Sequence, residues 1–253
     1  MKIYQSNLLK KFKNITHAFT SKDGGISQAP YATLNLAFHV GDKNSDIEYN
    51  HQLLAQKLNY NKDSLIHMKQ IHSSKVHIIE KNDTFDNPKE CDALITNKKN
   101  IPLMVMVADC APVLFYDPFN EVIAVAHAGR AGAFQNIVKN VLDIFVQKYN
   151  SEVKNIYVSV GANIQQCCYE VGSEIAHEVK QLQIEYALKE QEKSFFLSIN
   201  AILQKQLLKE GVRKEHIEFA DECTCCNNKK YFSYRAHGVT GRFCGIIYLN
   251  KGF

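Results

Sequence analysis

Residues 109–132 read DCAPVLFYDPFNEVIAVAHAGRAG, and the reading of this stretch decides the fold. Pro112 to Tyr116 and Glu121 to Ala126 are apolar runs of strand length. Between them stands Asp117-Pro118-Phe119-Asn120, a turn signal, so the two runs are predicted to form a β-hairpin. Pro118 disfavours the primed two-residue turns, which need positive φ, and points to a four-residue loop around a type I turn. With Asp117 to Asn120 as the loop, Tyr116 pairs with Glu121, and facing residues have numbers that sum to 237. That register sets Cys110 directly opposite His127 at the open end, with Cβ atoms roughly 4.5–5.5 Å apart. An odd-length loop or a bulge would instead turn the two side chains to opposite faces. After His127-Ala128-Gly129 the period becomes helical: Phe134, Ile137, Val138, Val141, Leu142 and Phe145 fall on one face of a single predicted helix.

The same alternation extends outward in both directions. Strands are predicted at Ile15 to Thr20, Leu65 to Met68, Val76 to Glu80, Ala93 to Thr96 and Leu103 to Val107. Further strands are predicted near Ile156 to Val160, His216 to Phe219 and Gly245 to Leu249. Ser45-Asp46-Ile47-Glu48 has a capping-box pattern, so a helix should begin there and run to about Leu58. Helices are also expected around Ser173 to Gln181 and Ile199 to Leu208. Strands outnumber helices and some pairs are hairpins, which indicates a mixed α/β (α+β) domain rather than a doubly wound sheet. A single domain over residues 1–253 is expected.

Composition narrows the function classes. The chain is 45% hydrophobic and 22% charged, an ordinary globular balance that excludes disorder as the main state. Of 30 basic residues only four are Arg, and Lys is scattered along the chain, so no nucleic-acid partner is expected. The longest apolar stretch, Ile101 to Phe115, is too short to span a bilayer and carries Asp109, so no membrane association is expected either. The N-terminal residues MKIYQSNLLKKFKN lack a signal-peptide core, and a cytoplasmic location is expected. In a reducing compartment the eight cysteines need not form disulfides.

Cys110 and His127, so placed, could share a metal ion or form a thiol–imidazole pair. His72, in Lys69-Gln70-Ile71-His72-Ser73-Ser74, lies between strands and could complete a His₂Cys set with an open fourth position, as expected of catalytic zinc. Asp109 could orient a ligand or accept a proton. Gly129-Arg130-Ala131-Gly132 opens the predicted long helix and could bind a phosphate, or could simply be a tight turn. Tyr234 to Arg242 (YRAHGVTGR) gathers half of the arginines, either as an anion loop or as a solvated turn. Cys223-Thr224-Cys225-Cys226 contains a CxxC spacing without a second half at zinc-finger distance. Cys167-Cys168 could approach it to form a structural metal site.

These segments, taken together and in order, resemble the laccase-domain (YfiH-like) family, whose members are also labelled polyphenol oxidases, purine nucleoside phosphorylases and peptidoglycan editing factors. The stretches that carry the resemblance are THAFTSKDGGIS, TLNLAFHVGD, KQIHSSKV, CDALIT, VADCAPVLFYD, VIAVAHAG, QQCCYEVG and YFSYRAHGVTGR, from about Thr16 to Leu249. The resemblance implies a compact fold with a β-sandwich-like centre and flanking helices. It places zinc ligands at His72, Cys110 and His127, with copper a less favoured occupant. It implies phosphorolysis of adenosine, inosine, guanosine and methylthioadenosine, and deamination of adenosine, with purine nucleoside and phosphate as the partners. By family position Asn35, Asp92 and Arg130 are candidate substrate contacts. The chain departs from the family in two places. HAGWRG is replaced by His127-Ala128-Gly129-Arg130-Ala131-Gly132, and IGP by Ile164-Gln165-Gln166.

Three other functions compete. A multicopper oxidase needs several coppers and commonly HxH pairs, and the ten histidines include none. A metal-free hydrolase acting on cell-wall precursors would use Cys110 as nucleophile and His127 as base. A zinc-stabilised binding protein would have no open coordination position. Oligomeric state is not readable from the sequence.

Overall fold

The computed structural model describes residues 1–251. Two sheets stack face to face and carry helices on their outer sides, which is the mixed architecture expected from the strand and helix order. The six-stranded sheet runs Ile217–Phe219, Tyr157–Val160, Ala111–Asp117, Val122–Ala128, Ala93–Thr96, Val76–Ile78. Its two outer pairs are parallel and the inner pairs antiparallel. The four-stranded sheet, Ile3–Tyr4, Ile15–Thr20, Phe243–Leu249, Leu103–Val107, is antiparallel throughout.

Strand periodicity divides the core. Val113 and Phe115 face the helices Ile137–Tyr149 and Ile199–Lys209, whereas Leu114 and Tyr116 face the second sheet. Every residue of Ala111–Asp117 and of Val122–Ala128 is buried, because both faces of the hairpin are covered. This is why its strands read as continuous apolar runs rather than alternating ones. On the far side of the four-stranded sheet, Met104, Met106 and Ile246 pack against Leu54 and Leu58 of the helix Asn44–Leu58.

The hairpin differs from its predicted register by two. Asp117 pairs with Val122 and Pro112 with His127, so facing numbers sum to 239, not 237. The loop is Pro118 to Glu121, because Asp117 stays in the strand and its carboxylate caps the turn. Its Oδ1 accepts from the Phe119 and Asn120 N–H groups at 2.9 and 3.4 Å, and Asn120 Nδ2 donates to Oδ2 at 2.8 Å. A shift of two preserves the face, so Cys110 and His127 still share one, diagonally rather than directly opposed.

Two helical expectations also change. The apolar face from Phe134 to Phe145 is continuous, yet the backbone breaks into Arg130–Phe134 and Ile137–Tyr149 at Asn136, which is left-handed at φ 59°. The helix Asn44–Leu58 starts after Lys43 without a side-chain cap, and Ser45 Oγ donates to Asp46 instead of closing a capping box. Short pairings at Met68–Lys69 with Lys89–Glu90, and a three-stranded sheet of Glu170–Val171, Ser194–Leu197 and Leu188–Gln191, were not expected from the sequence. No helix among the described residues is long and apolar enough to cross a membrane.

Candidate metal centre

The open end of the hairpin, the 70–73 loop and Asp92 build one site. His127, near the end of its strand, points between the two sheets with Pro112 as its ladder partner. Cys110 immediately precedes the other strand on the same face. Extending the register sets it across from Gly129, which has no side chain. A Cβ at Gly129 would lie 2.9 Å from Cys110 Sγ and 3.4 Å from His72 Cδ2, so the sulfur occupies space that only glycine leaves open.

His72 reaches the same point from its loop. Its backbone is left-handed at φ 56°, a conformation held by one carboxylate. Asp92, fully buried before the strand Ala93–Thr96, accepts from the backbone N–H groups of Ile71, His72 and Ser73 at 3.2, 3.0 and 2.7 Å. It also accepts from Ser73 Oγ at 2.8 Å and pairs with His127 Nδ1 at 2.9 Å. One side chain thus fixes both histidines and leaves His127 Nε2 as the nitrogen free to bind a metal. The ligating atoms of His72, Cys110 and His127 all lie within 4.8 Å of one another.

The electrostatics suit a cation. Burial opposes ionisation of Cys110, but His127 beside it and hydrogen bonds from both histidines outweigh burial and bring the thiol down to about 6. Burial likewise opposes charge on His127, yet Cys110 and Asp92 raise it to about 9. Burial would raise Asp92, but its bonds to His127 and Ser73 hold it at about 2. A thiolate and two imidazoles form a donor set that would fit zinc or a similar ion, and all three residues line a cavity.

That cavity, of about 320 Å³, is lined by the three residues together with His39, Gln70, Met106 and Ile164. Tyr169, Tyr234 and the arginines Arg130, Arg235 and Arg242 also line it. The volume lies at the small end of the ~300–1,000 Å³ expected of small-molecule sites. Gln70 spans the gap to the four-stranded sheet: its amide donates to Met106 O at 2.8 Å and accepts from Met106 N at 2.9 Å.

The remaining sequence candidates occupy different places. Arg130 lines the cavity, but its Nη1 pairs with Glu178 at 2.8 Å, and the helix it opens has only five residues. Asn35 is fully buried behind the wall, its carbonyl accepting from Ala37 N and Arg242 N and its amide donating to Ala37 O and Asp42. Asp109, left-handed at φ 88°, also lines the cavity, and its side-chain hydrogen bonds go outside the His72, Cys110 and His127 cluster. It accepts from Thr224 Oγ1 at 2.6 Å and Arg235 N at 2.7 Å, tying the 224–235 segment to the hairpin. Of the YRAHGVTGR stretch, Tyr234, Arg235 and Arg242 reach the cavity wall, while residues 234–239 are exposed to solvent. Gln70 and Tyr169 carried no signal of their own beyond lying inside family-like stretches, and Met106 none beyond its place in the predicted strand Leu103 to Val107.

The chain is similar to several known proteins over nearly its whole length. A purine nucleoside phosphorylase of Corynebacterium glutamicum is 34% identical over 238 residues, covering 94% of this chain and 95% of that protein. The purine nucleoside phosphorylase YlmD of Bacillus subtilis is 29% identical over 93% of this chain and 88% of its own length. The crystal structure of YlmD from Geobacillus stearothermophilus superposes with a TM-score of 0.90 at 27% identity, covering 95% of this chain and 93% of that one. The hypothetical protein YfiH of Bacillus licheniformis superposes at 0.91 with 28% identity, over 96% and 95% of the two chains. Residues 16–250 match the profile described as multi-copper polyphenol oxidoreductase laccase, and the chain belongs to that family.

Proposed function

We propose that His72, Cys110 and His127 hold one zinc ion and that the chain is a zinc-dependent purine nucleoside phosphorylase. In this reading it converts adenosine, inosine, guanosine or methylthioadenosine and phosphate to free base and ribose 1-phosphate, and it can also deaminate adenosine. The observation that carries the reading is the convergence of the three ligating atoms within 4.8 Å, in the wall of a nucleoside-sized cavity. The names of the relatives in Corynebacterium and Bacillus support the substrate class.

Bound there, zinc would supply Lewis-acid polarisation of an oxygen. The chain's own residues do the rest. Asp92 fixes the tautomer of His127 and acts through it rather than on substrate. Tyr169 and Tyr234 offer aromatic faces to the purine. Arg235 and Arg242 supply positive charge for phosphate, with Arg130 contributing from the rim and Asn35 acting through the Arg242 backbone. Phosphate oxygen forms the new bond to the anomeric carbon as the glycosidic C–N bond breaks and the base takes up a proton. Met106 and Ile164 give the cavity an apolar patch.

Copper oxidase chemistry fits poorly. His17, His51, His67 and His216 are buried away from the cavity lining, so they add no ligands to the single His₂Cys set, whereas such an oxidase needs several coppers. The closeness of Cys110 Sγ to His127, which lowers the thiol and raises the imidazole, is the one observation favouring a Cys–His hydrolase. Metal content of the wild type against His72→Ala, Cys110→Ser and His127→Ala separates the readings. About one zinc at this site, lost in each variant together with phosphorolysis, is expected. Amide hydrolysis by metal-free protein would favour the hydrolase.

A further inference from the structure

A second cluster of metal-binding side chains stands apart from the His₂Cys centre. Cys167 and Cys168 meet Cys223 and Cys226 from a distant part of the chain, and their four sulfurs lie within 4.8 Å of one another. The sulfur separations are 3.8 Å for Cys167–Cys168, 3.6 Å for Cys167–Cys226 and 3.3 Å for Cys168–Cys226. A disulfide needs about 2.05 Å. A tetrahedron with zinc–sulfur bonds of about 2.3 Å has edges of about 3.8 Å. The three separations among Cys167, Cys168 and Cys226 are close to such edges and far from a bonded pair, and Cys223 completes the set within 4.8 Å.

We propose that Cys167, Cys168, Cys223 and Cys226 form a structural tetrathiolate zinc site that fastens one wall of the cavity. Cys223 and Cys226 have the CxxC chelate spacing, and Gln165 N donates to Cys223 Sγ at 3.4 Å, as backbone amides do toward metal-bound thiolates. Cys225 is outside the cluster. Each thiol gives its proton to solvent on binding, and the dication offsets the mutual repulsion of four thiolates. Without a cation, burial and neighbouring thiols push Cys167 up to about 11, while Cys168 moves in the same direction.

The position assigns the role. Thr224 N donates to Asn163 O at 3.1 Å, and Arg235 Nη1 and Nη2 donate to Cys168 O and Glu170 O at 3.1 and 2.9 Å. Ile164 and Tyr169 on one segment, and Tyr234 and Arg235 on the other, line the cavity. Zinc would join these two segments across 56 residues of chain, from Cys167 to Cys223.

The test uses His72→Ala protein, in which the first centre is disabled, so failure of the two sites can be told apart. After growth with zinc, this variant should retain about one zinc per chain with an all-sulfur first shell in X-ray absorption. Adding Cys226→Ser should remove that zinc, whereas adding Cys225→Ser should not. If the Cys226→Ser protein fails to fold, the all-sulfur shell in the His72→Ala parent still decides. A mixed nitrogen and sulfur shell, equimolar iron in place of zinc, or a disulfide between the two segments in non-reducing peptide mapping would overturn the assignment.

Discussion

The two clusters of metal-binding side chains are built on opposite plans. His72, Cys110 and His127 hang on the buried end of a hairpin and on a loop pinned by Asp92, which accepts five hydrogen bonds from four residues. Cys167, Cys168, Cys223 and Cys226 sit on irregular segments, two of them exposed, joined by little more than one bridge between Asn163 and Cys223 and the bonds of Thr224 and Arg235. The first centre is organised by the fold before any metal arrives, as catalysis requires. The second, in the proposed reading, would rely on its metal for order, as structural sites do. Chelation should therefore leave amide exchange at residues 71–73 and 127 nearly unchanged while speeding it across 163–169 and 223–230. Equal loosening of both regions would erase the contrast.

Removing the organiser should have the largest effect. Asp92→Ala leaves His127 and three backbone N–H groups unpaired in a buried setting, and should cost about 3–5 kcal/mol in chemical denaturation along with the metal. An acid titration sharpens the contrast between histidines that hold charge and those that exclude it. Burial pushes His17 down to about 4 and His51 down to about 3, against an ordinary value of 6.5. Between 6.5 and those values the unfolded chain binds more protons than the folded one. Stability should thus fall as the pH drops through this window, and replacing His51 with Phe should flatten the slope. Gly129→Ala comes next. Its Cβ would press on Cys110 Sγ, and metal affinity should fall about 10–100-fold with at most about 1–3 kcal/mol of destabilisation. In metal-free protein, Cys110 should be alkylated with a midpoint near pH 6, and zinc should block the reaction. Cys225→Ser should be silent in metal content and within about 0.5 kcal/mol in stability.

Much of this architecture is legible in the sequence wherever side-chain period decides. Alternation set the face shared by Cys110 and His127, and an offset of two left that face intact. The offset itself escaped because the Asp117 carboxylate moves the turn by one residue, a local bond that composition does not reveal. The helix break at Asn136 was hidden by an apolar face that continues across it. Asp92 was found only through the family-like stretch CDALIT. Its role depends on contacts from residues about twenty and thirty-five positions away, which no local pattern encodes. The meeting of Cys167-Cys168 with Cys223 and Cys226 likewise depends on the path of the chain. The sequence offered Cys167-Cys168 as a partner for the CxxC segment, and the fold brings the two together.

The central claim is that the His₂Cys centre carries out phosphate-dependent cleavage of a purine nucleoside. It is tested most directly by incubating zinc-loaded protein with inosine, with and without phosphate, and quantifying hypoxanthine and ribose 1-phosphate. Equal amounts of both products, formed only with phosphate and lost in Cys110→Ser, are predicted. Base release that ignores phosphate, or that survives Cys110→Ser unchanged, would contradict it.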